Sequence, residues 1–275
     1  MLTATLLALG AAALHATWNL LIKTSTDRLL AAWGQLLAGG LLFAPALVAT
    51  GMPDPSALPW LGASVLVHIG YVGALTRAYD NGDFSFAYPA SRGGGALVAA
   101  AAGVVLLGDD LPGRAWIGVL VVMGGLASTV GRQVTHLTGG WTSITAVTIG
   151  TYTTLDAIGA RRSSGFSYGI TLTLTAGIVL SIGLAARGRA RDMCAAAGAD
   201  WCRYLVGGAC ATLAYSMILT AIRLAPVGYV ATLRESSTVL GTAAGWLLLH
   251  EGLGPRRIMS AGYVSAGLVL LVHWQ

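Results

Sequence analysis

Charge is scarce in this sequence of 275 residues: Asp, Glu, Lys and Arg together make up 10% of it, and Lys23 is the single lysine. A soluble domain carries about 25% charged residues, which it needs to cover its surface with groups that water solvates. A chain this poor in charge cannot do so, and its mean hydropathy of +0.72 indicates that its solvent is mostly lipid. The shortage of charge therefore excludes an ordinary soluble domain.

Cysteine is also scarce, and its three residues show neither Cys-x-x-Cys nor Cys/His zinc spacing. The chain has no His-Glu-x-x-His motif and no phosphate-binding glycine loop, so we expect no metal, no cofactor and no ATP-driven pump. Its arginines stand singly or in small groups, which argues against a nucleic-acid partner. Gly165–Gly169 matches the Gly-x-Ser-x-Gly pattern of hydrolases, but it opens an apolar run instead of a strand–turn–helix elbow. We therefore expect no catalytic residues and no enzyme.

Long apolar runs fill most of the chain. A membrane-crossing helix needs about 20 mostly apolar residues, and inside lipid its backbone must satisfy its own hydrogen bonds. The predicted fold class is an all-α integral membrane protein with about ten transmembrane helices. The first run begins beside Met1 without basic residues, so we expect a retained helix there. The longest connection is expected at 187–200. The predicted spans are 2–22, 29–49, 60–80, 84–107, 114–131, 142–161, 166–186, 201–222, 227–249 and 256–273.

The two halves of the chain resemble each other. Residues 86–126 align with 228–268 at an offset of 142, which places Arg92 on Arg234 and Asp109 on Glu251. Five spans in each half would reverse the orientation of the second half, giving two inverted five-helix repeats at 1–137 and 138–275. Inverted repeats are typical of secondary transporters, whose substrate site lies between the repeats near mid-membrane.

The order of several short motifs in both halves resembles the drug/metabolite transporter superfamily, in its two-repeat EamA type. That family usually has Gly-Glu after the fourth span of each repeat, whereas Asp109 replaces the first Glu here and His250 replaces the second Gly. The motifs that carry the resemblance are His15-Ala16-Thr17-Trp18-Asn19, Tyr88-Pro89-Ala90-Ser91-Arg92, Leu107-Gly108-Asp109, Leu233-Arg234-Glu235-Ser236-Ser237 and Leu248-Leu249-His250-Glu251.

The resemblance implies a secondary active transporter, an exporter or exchanger of a small polar or amphipathic metabolite or drug that works by alternating access. It implies a multi-pass protein of the bacterial inner (plasma) membrane, surrounded by membrane lipid, with protons as the candidate coupling ion. A monomer and a homodimer both fit. The alternative function is a flippase for lipid or polyprenyl-linked cargo.

Ionisable residues deep inside spans point to a substrate site, because such groups are costly in a membrane unless they serve a pathway or pair with one another. Arg92 lies deep in the fourth span, and Arg234 and Glu235 lie deep in the ninth. One reading is a cationic centre for an anionic or zwitterionic substrate, with Glu235 as its proton or charge partner. The other is a structural Arg–Glu pair. Since the offset of 142 makes the two arginines equivalent, we predict contact between Arg92 and Glu235 across the repeats.

Other spans supply further candidates for substrate binding. Asp156 either titrates during transport or lies at the membrane edge near Arg161. His15, Trp18 and Asn19 of the first span either line a pocket or form hydrogen bonds between helices. We expect the first, third, fourth, sixth, eighth and ninth spans to line the cavity. The additional candidates are His15, Trp18, Asn19, Tyr71, Tyr79, Tyr152 and Asp156.

The orientation of the chain in the membrane has two competing predictions. Basic residues concentrate in the connections after odd-numbered spans, above all at 187–191, and the positive-inside rule places these connections in the cytoplasm and both termini outside. The usual arrangement of the resembling family has both termini inside. We favour the charge rule.

Overall fold

The structure is a computed structural model that describes residues 1–80, 84–128, 136–240, 243 and 255–273. Within these ranges it consists of helices and contains no strand. Its helices are α1 (Leu2–Lys23), α2 (Arg28–Phe43), α3 (Ala46–Thr50), a 3-10 turn at Pro55–Ala57, α4 (Leu58–Asp80), α5 (Phe84–Leu107), α6 (Gly113–Ser128), α7 (His136–Arg162), α8 (Gly165–Ala186), α9 (Ala190–Ile222), α10 (Val227–Arg234) and α11 (Pro255–His273).

Several of these helices suit a bilayer. Five are long and apolar enough to cross a membrane, and α2, α6 and the later part of α11 are shorter apolar helices. The predicted all-helical, multi-span membrane fold is confirmed, while the number of ten spans stays a prediction. The predicted fourth span, 84–107, coincides with α5.

Two expectations about the helices are corrected. The connection expected at 187–200 is mostly helical. α8 ends at Ala186, Gly188 makes the turn with a φ of 76°, and α9 already begins at Ala190. Alanine-rich sequence after Met193 favours helix even outside a membrane, and α9 kinks only at Asp200. The second predicted span, 29–49, is interrupted between α2 and α3, since Pro45 has no N–H to donate.

Glycines set the closest approaches between helices. A Cβ added to Gly118 of α6 would lie 2.8 Å from the carbonyl oxygen of Gly267 in α11, and one added to Gly125 would lie 3.1 Å from that of Ser260. Close approach of helix backbones is common in lipid, because burying apolar side chains there contributes little to helix association. The sequence also predicts a close approach of helices at Gly241-x-x-x-Gly245, and both of these glycines lie outside the described residues.

The arrangement of the helices brings six of them around one polar region. α7 packs along α4 and α5, α1 packs along α9, and α10 packs against α5 and α1. α6 and α11 pack mainly against each other. The six helices α1, α4, α5, α7, α9 and α10 correspond to the six spans expected to line the cavity, and each contributes a polar side chain to the site described next.

Candidate substrate site

A buried ion pair joins α5 to the end of α10. Arg92 donates from Nε to Oε2 of Glu235 at 3.1 Å and from Nη2 to Oε1 at 2.8 Å. Arg92 is 7% exposed and Glu235 is 0% exposed. This two-pronged geometry is the strong form of an arginine–carboxylate pair. The predicted contact between Arg92 and Glu235 is confirmed.

The α1 residues reach this pair through His15. Arg92 Nη1 lies 3.1 Å from Nε2 of His15, and because arginine can only donate, Nε2 accepts. Trp18 packs edge-on against the imidazole, with ring centroids 4.8 Å apart. The Asn19 amide donates to the His15 carbonyl at 2.8 Å within the same helix. His15 therefore joins two helices, whereas Asn19 makes its bond locally.

Arg234 differs sharply from its repeat equivalent. It is 4% exposed, its Nε has no hydrogen-bond partner, and no ion pair or hydrogen bond ties it to another described residue. Its guanidinium lies within electrostatic range of His15, His68, Tyr152 and Tyr215. A buried cation without a counter-charge is expensive, so this position is suited to receive an anion.

The two residues that follow Glu235 add unused donors. The hydroxyls of Ser236 and Ser237 are buried and have no partner among the described residues. Buried polar atoms are nearly always hydrogen-bonded, so a group of orphans beside Arg234 calls for an explanation such as a bound molecule or water.

An aromatic group lies on the α4, α7 and α9 side of the arginines. His68 stacks on Tyr152 with centroids 3.9 Å apart and an interplanar angle of 29°. Tyr71 meets Tyr152 edge-on at 5.6 Å, and Tyr215 meets His68 edge-on at 6.3 Å. His68 Nδ1 donates to the Ser64 carbonyl at 2.9 Å, which fixes its ring. These rings can hold a planar or apolar part of a substrate.

Asp156 lies behind the aromatic group and is 0% exposed. It accepts hydrogen bonds from the hydroxyls of Tyr168, at 3.2 Å, and Tyr215. The burial of Asp156 argues against an exposed position at the membrane edge. Tyr215 was not among the predicted site residues, although Tyr71 resembles it when the two halves are compared with a small slip in register, and this could have identified it.

Helical backbone continues through the site in the ninth span. α10 ends at Arg234, Glu235 keeps right-handed helical angles (φ −68°, ψ −11°), and helix follows at 236–240. The amide of Glu235 bonds to the Thr232 carbonyl at 3.0 Å and the amide of Thr238 to the Glu235 carbonyl at 2.9 Å, both three residues back, so the helix is locally tightened. As far as residue 240, the helix agrees with the predicted span 227–249.

Asp109, which stands where the resembling family usually has Glu, links three helices. Its Oδ1 lies 2.6 Å from Nη2 of Arg161 at the end of α7, and its Oδ2 accepts from the Val227 amide at the start of α10, at 2.7 Å. Arg161 Nε also donates to the Ile222 carbonyl at 3.2 Å. We name this group the Asp109 latch. It lies at the end of the bundle where α5 and α7 terminate.

Two apolar crevices lie near the arginines rather than among the polar side chains. One, of about 220 Å³, is lined by Ala90, Gly93, Gly94, Leu97, Met123 and Ala127. The other, of about 410 Å³, is lined by Leu9, Leu233, Leu268, Val269, Val272 and His273. Each crevice includes a sequence neighbour of a deep arginine, Gly93 in the first and Leu233 in the second.

The structure thus unites most of the predicted site. His15, Arg92 and Glu235 are in direct contact, and Arg234 lies within electrostatic range of His15. Tyr71 and Tyr152 are in contact, and Asp156 joins through Tyr215. Trp18 contacts His15. The side chain of Tyr79 lies outside the described residues.

Comparisons with known proteins agree with this architecture. Residues 139–273 match the EamA-like transporter family. A solved structure titled "Crystal structure of protein" is similar with a TM-score of 0.80 and 15% identity, over 98% of this chain and 96% of that one. At this identity the likeness concerns the fold alone. No curated protein matches the sequence.

Proposed function

Because the chain belongs to the EamA-like transporter family of the drug/metabolite transporter superfamily, we propose that it is a secondary active transporter working by alternating access. Its cargo is a small polar or amphipathic metabolite or drug, moved as an exporter or exchanger with protons as the coupling ion. The observation that carries the substrate assignment is that Arg234 is buried and has no ion-pair partner in the described part of the chain, whereas Arg92 is neutralised by Glu235.

The charges of the site favour an anionic or zwitterionic substrate. Glu235 neutralises Arg92, so among the described residues the positive charge of Arg234 at the end of α10 has no counter-charge. A carboxylate or comparable anionic group would supply its missing partner, and Ser237 offers a further donor. The aromatic group would face the remainder of the molecule.

The proposed inverted repeats, 1–137 and 138–275, have support from contacts as well as from sequence. Gly118 meets Gly267, and Gly125 meets Ser260. At the offset of 142, Gly125 corresponds to Gly267 and Gly118 to Ser260. The two contacts are therefore exchanged with each other by swapping the halves, as a two-fold axis between them requires. The family match over 139–273 also coincides with the second proposed repeat.

A charge-sorted binding screen tests the substrate assignment. Purified protein is heated with pools of anionic, zwitterionic, cationic and neutral metabolites, since a ligand that binds the native state raises its stability, by about 2.7 kcal/mol at one hundred times Kd. We expect stabilisation by an anionic or zwitterionic pool, and its loss in Arg234→Gln. Arg223→Gln is the matched control, because Arg223 is exposed. Stabilisation by cationic pools alone, or an unchanged response of Arg234→Gln, would contradict the assignment.

The flippase alternative has one observation in its favour, the two apolar crevices beside the arginines. An acyl or polyprenyl chain could lie in a crevice while its charged headgroup reached the centre. Reconstituted protein distinguishes the two functions. Movement of a fluorescent phospholipid between leaflets without uptake of any water-soluble anion would favour the flippase.

A further inference from the structure

Two carboxyl groups among the described residues are fully buried, and their surroundings are opposite. Glu235 has a guanidinium on both of its oxygens. Asp156 is equally buried, at 0% exposure, and has no ion pair within the described part of the chain. The nearest arginine along its own helix, Arg161, is engaged by Asp109 instead.

The groups facing Asp156 come from every helix packed around it. α4 contributes Ser64 and His68, α8 contributes Tyr168, and α9 contributes Tyr215. On α5, Arg92 is held by Glu235. The set offers hydroxyl donors and one imidazole, but no permanent cation in contact with the carboxyl. Burial removes the water that would solvate an ionised carboxylate, and without a cation in contact most of this free-energy cost is not offset.

Upstream of residue 86 the register of the repeat slips, and Trp18-Asn19 of the first span then lies near Leu155-Asp156 of the sixth. The side-chain amide of Asn19 donates to the His15 carbonyl on its own helix. Of these two polar residues, Asp156 is the one that can titrate.

We propose that Asp156 is the proton-binding site of the transporter, carrying a proton on its carboxyl in the described conformation and releasing it as a free proton during the cycle. The inference rests on the proposed function and identifies the group that takes up its coupling ion. Carboxylate plus proton gives carboxylic acid, with no other reactant required.

Tyr215 provides a physical link to the substrate site. Its hydroxyl donates to Asp156 while its ring contacts His68, and it lies within electrostatic range of Arg234. The hydrogen bond from this hydroxyl is strong when Asp156 is ionised and weaker when Asp156 is protonated. Protonation also removes a negative charge that partly compensates Arg234, so proton binding at Asp156 and anion binding at Arg234 should be coupled.

Infrared spectroscopy of the full chain in lipid nanodiscs tests the proposal without any substrate. At about pH 7, where exposed Asp and Glu are ionised, a C=O band of a protonated carboxylic acid should be present in the wild type and should vanish at alkaline pH. Asp156→Asn should remove this band. Asp110→Asn, which changes an exposed carboxylate in a loop, should leave it unchanged.

A second variant, Tyr215→Phe, keeps the proposal testable if Asp156→Asn does not fold. Tyr215→Phe deletes a donor that stabilises the ionised form, so the band should persist to higher pH than in the wild type. A band that survives in Asp156→Asn, the absence of any such band in the wild type, or an unchanged midpoint in Tyr215→Phe would each overturn the proposal. Because this titration needs no cargo, its failure is separate from a failure of the binding screen.

Discussion

Arg92 holds both carboxylate oxygens of Glu235, while Arg234, next to that glutamate in the chain and equivalent to Arg92 in the repeat, has no such partner among the described residues. Two equivalent arginines near one axis would repel each other at low dielectric. Glu235 neutralises one of the two arginines, which reduces the repulsion and makes the two halves of the site unequal. The remaining charge is the feature that a substrate can use.

Removal of either member of the pair should destabilise the protein strongly. Glu235→Gln or Arg92→Met leaves a buried charge or its donors unpaired, which typically costs about 3–5 kcal/mol. The double replacement by Met at both positions should recover stability but not transport. A double-mutant cycle on thermal unfolding measures the coupling, and additive single effects would show that the pair does not contribute.

The Asp109 latch should contribute measurably to stability. Asp109→Ala strands the Arg161 guanidinium and the first amide of α10, so we expect a loss of about 1–3 kcal/mol in unfolding free energy. Asp109→Glu, the residue usual in the resembling family, should recover part of it. Asp110→Ala is the control, since Asp110 is exposed. Equal melting temperatures for Asp109→Ala and Asp110→Ala would contradict the role of the latch.

The α6–α11 contact should not accept a side chain. Gly118→Val places carbon atoms against the backbone of Gly267, and overpacking of this kind costs about 1–3 kcal/mol. Gly124→Val provides the comparison within the same helix, because a Cβ there meets nothing within 4 Å. Thermal unfolding should separate the two variants clearly, and similar melting temperatures would disprove close packing at this seam.

Acid should weaken the junction between α1 and α2. Burial acts to raise the pKa of Asp27, but hydrogen bonds from the Leu30 amide and Arg189 outweigh it and lower the pKa overall. A lowered pKa gives stability that is present above the unfolded value, about 3.9, and is lost as pH falls through the folded value.

Asp27→Asn should therefore reduce stability at neutral pH and have less effect in acid. The pair is partly exposed and solvent-screened, so the neutral-pH difference should be small, about 0.2–1 kcal/mol. Melting curves of both proteins across acidic pH provide the measurement. A difference that grows on acidification would have the wrong sign.

Hydropathy and the internal repeat predicted much of this molecule. The bounds of α5 and the Arg92–Glu235 contact follow from them, because membrane helices are read from apolar length and equivalent helices must meet near a two-fold axis. The Tyr215–Asp156 contact was not predicted, since it depends on the rotation of each helix about its own axis. The contacts of Asp109 with Arg161 and Val227 were not predicted either, because these partners lie far away in sequence.

The early start of α9 has a practical consequence for topology. Cys194 and Cys202 flank the kink at Asp200 and are both exposed, whereas Cys210 is only partly so. Cys194 follows the seventh predicted span, on the side that the charge rule assigns to the cytoplasm. A membrane-impermeant maleimide added to intact cells should then leave Cys194 unlabelled until the cells are opened. The natural cysteine thus reports which side of the membrane this segment faces. Labelling of Cys194 in intact cells would instead favour an orientation with both termini inside.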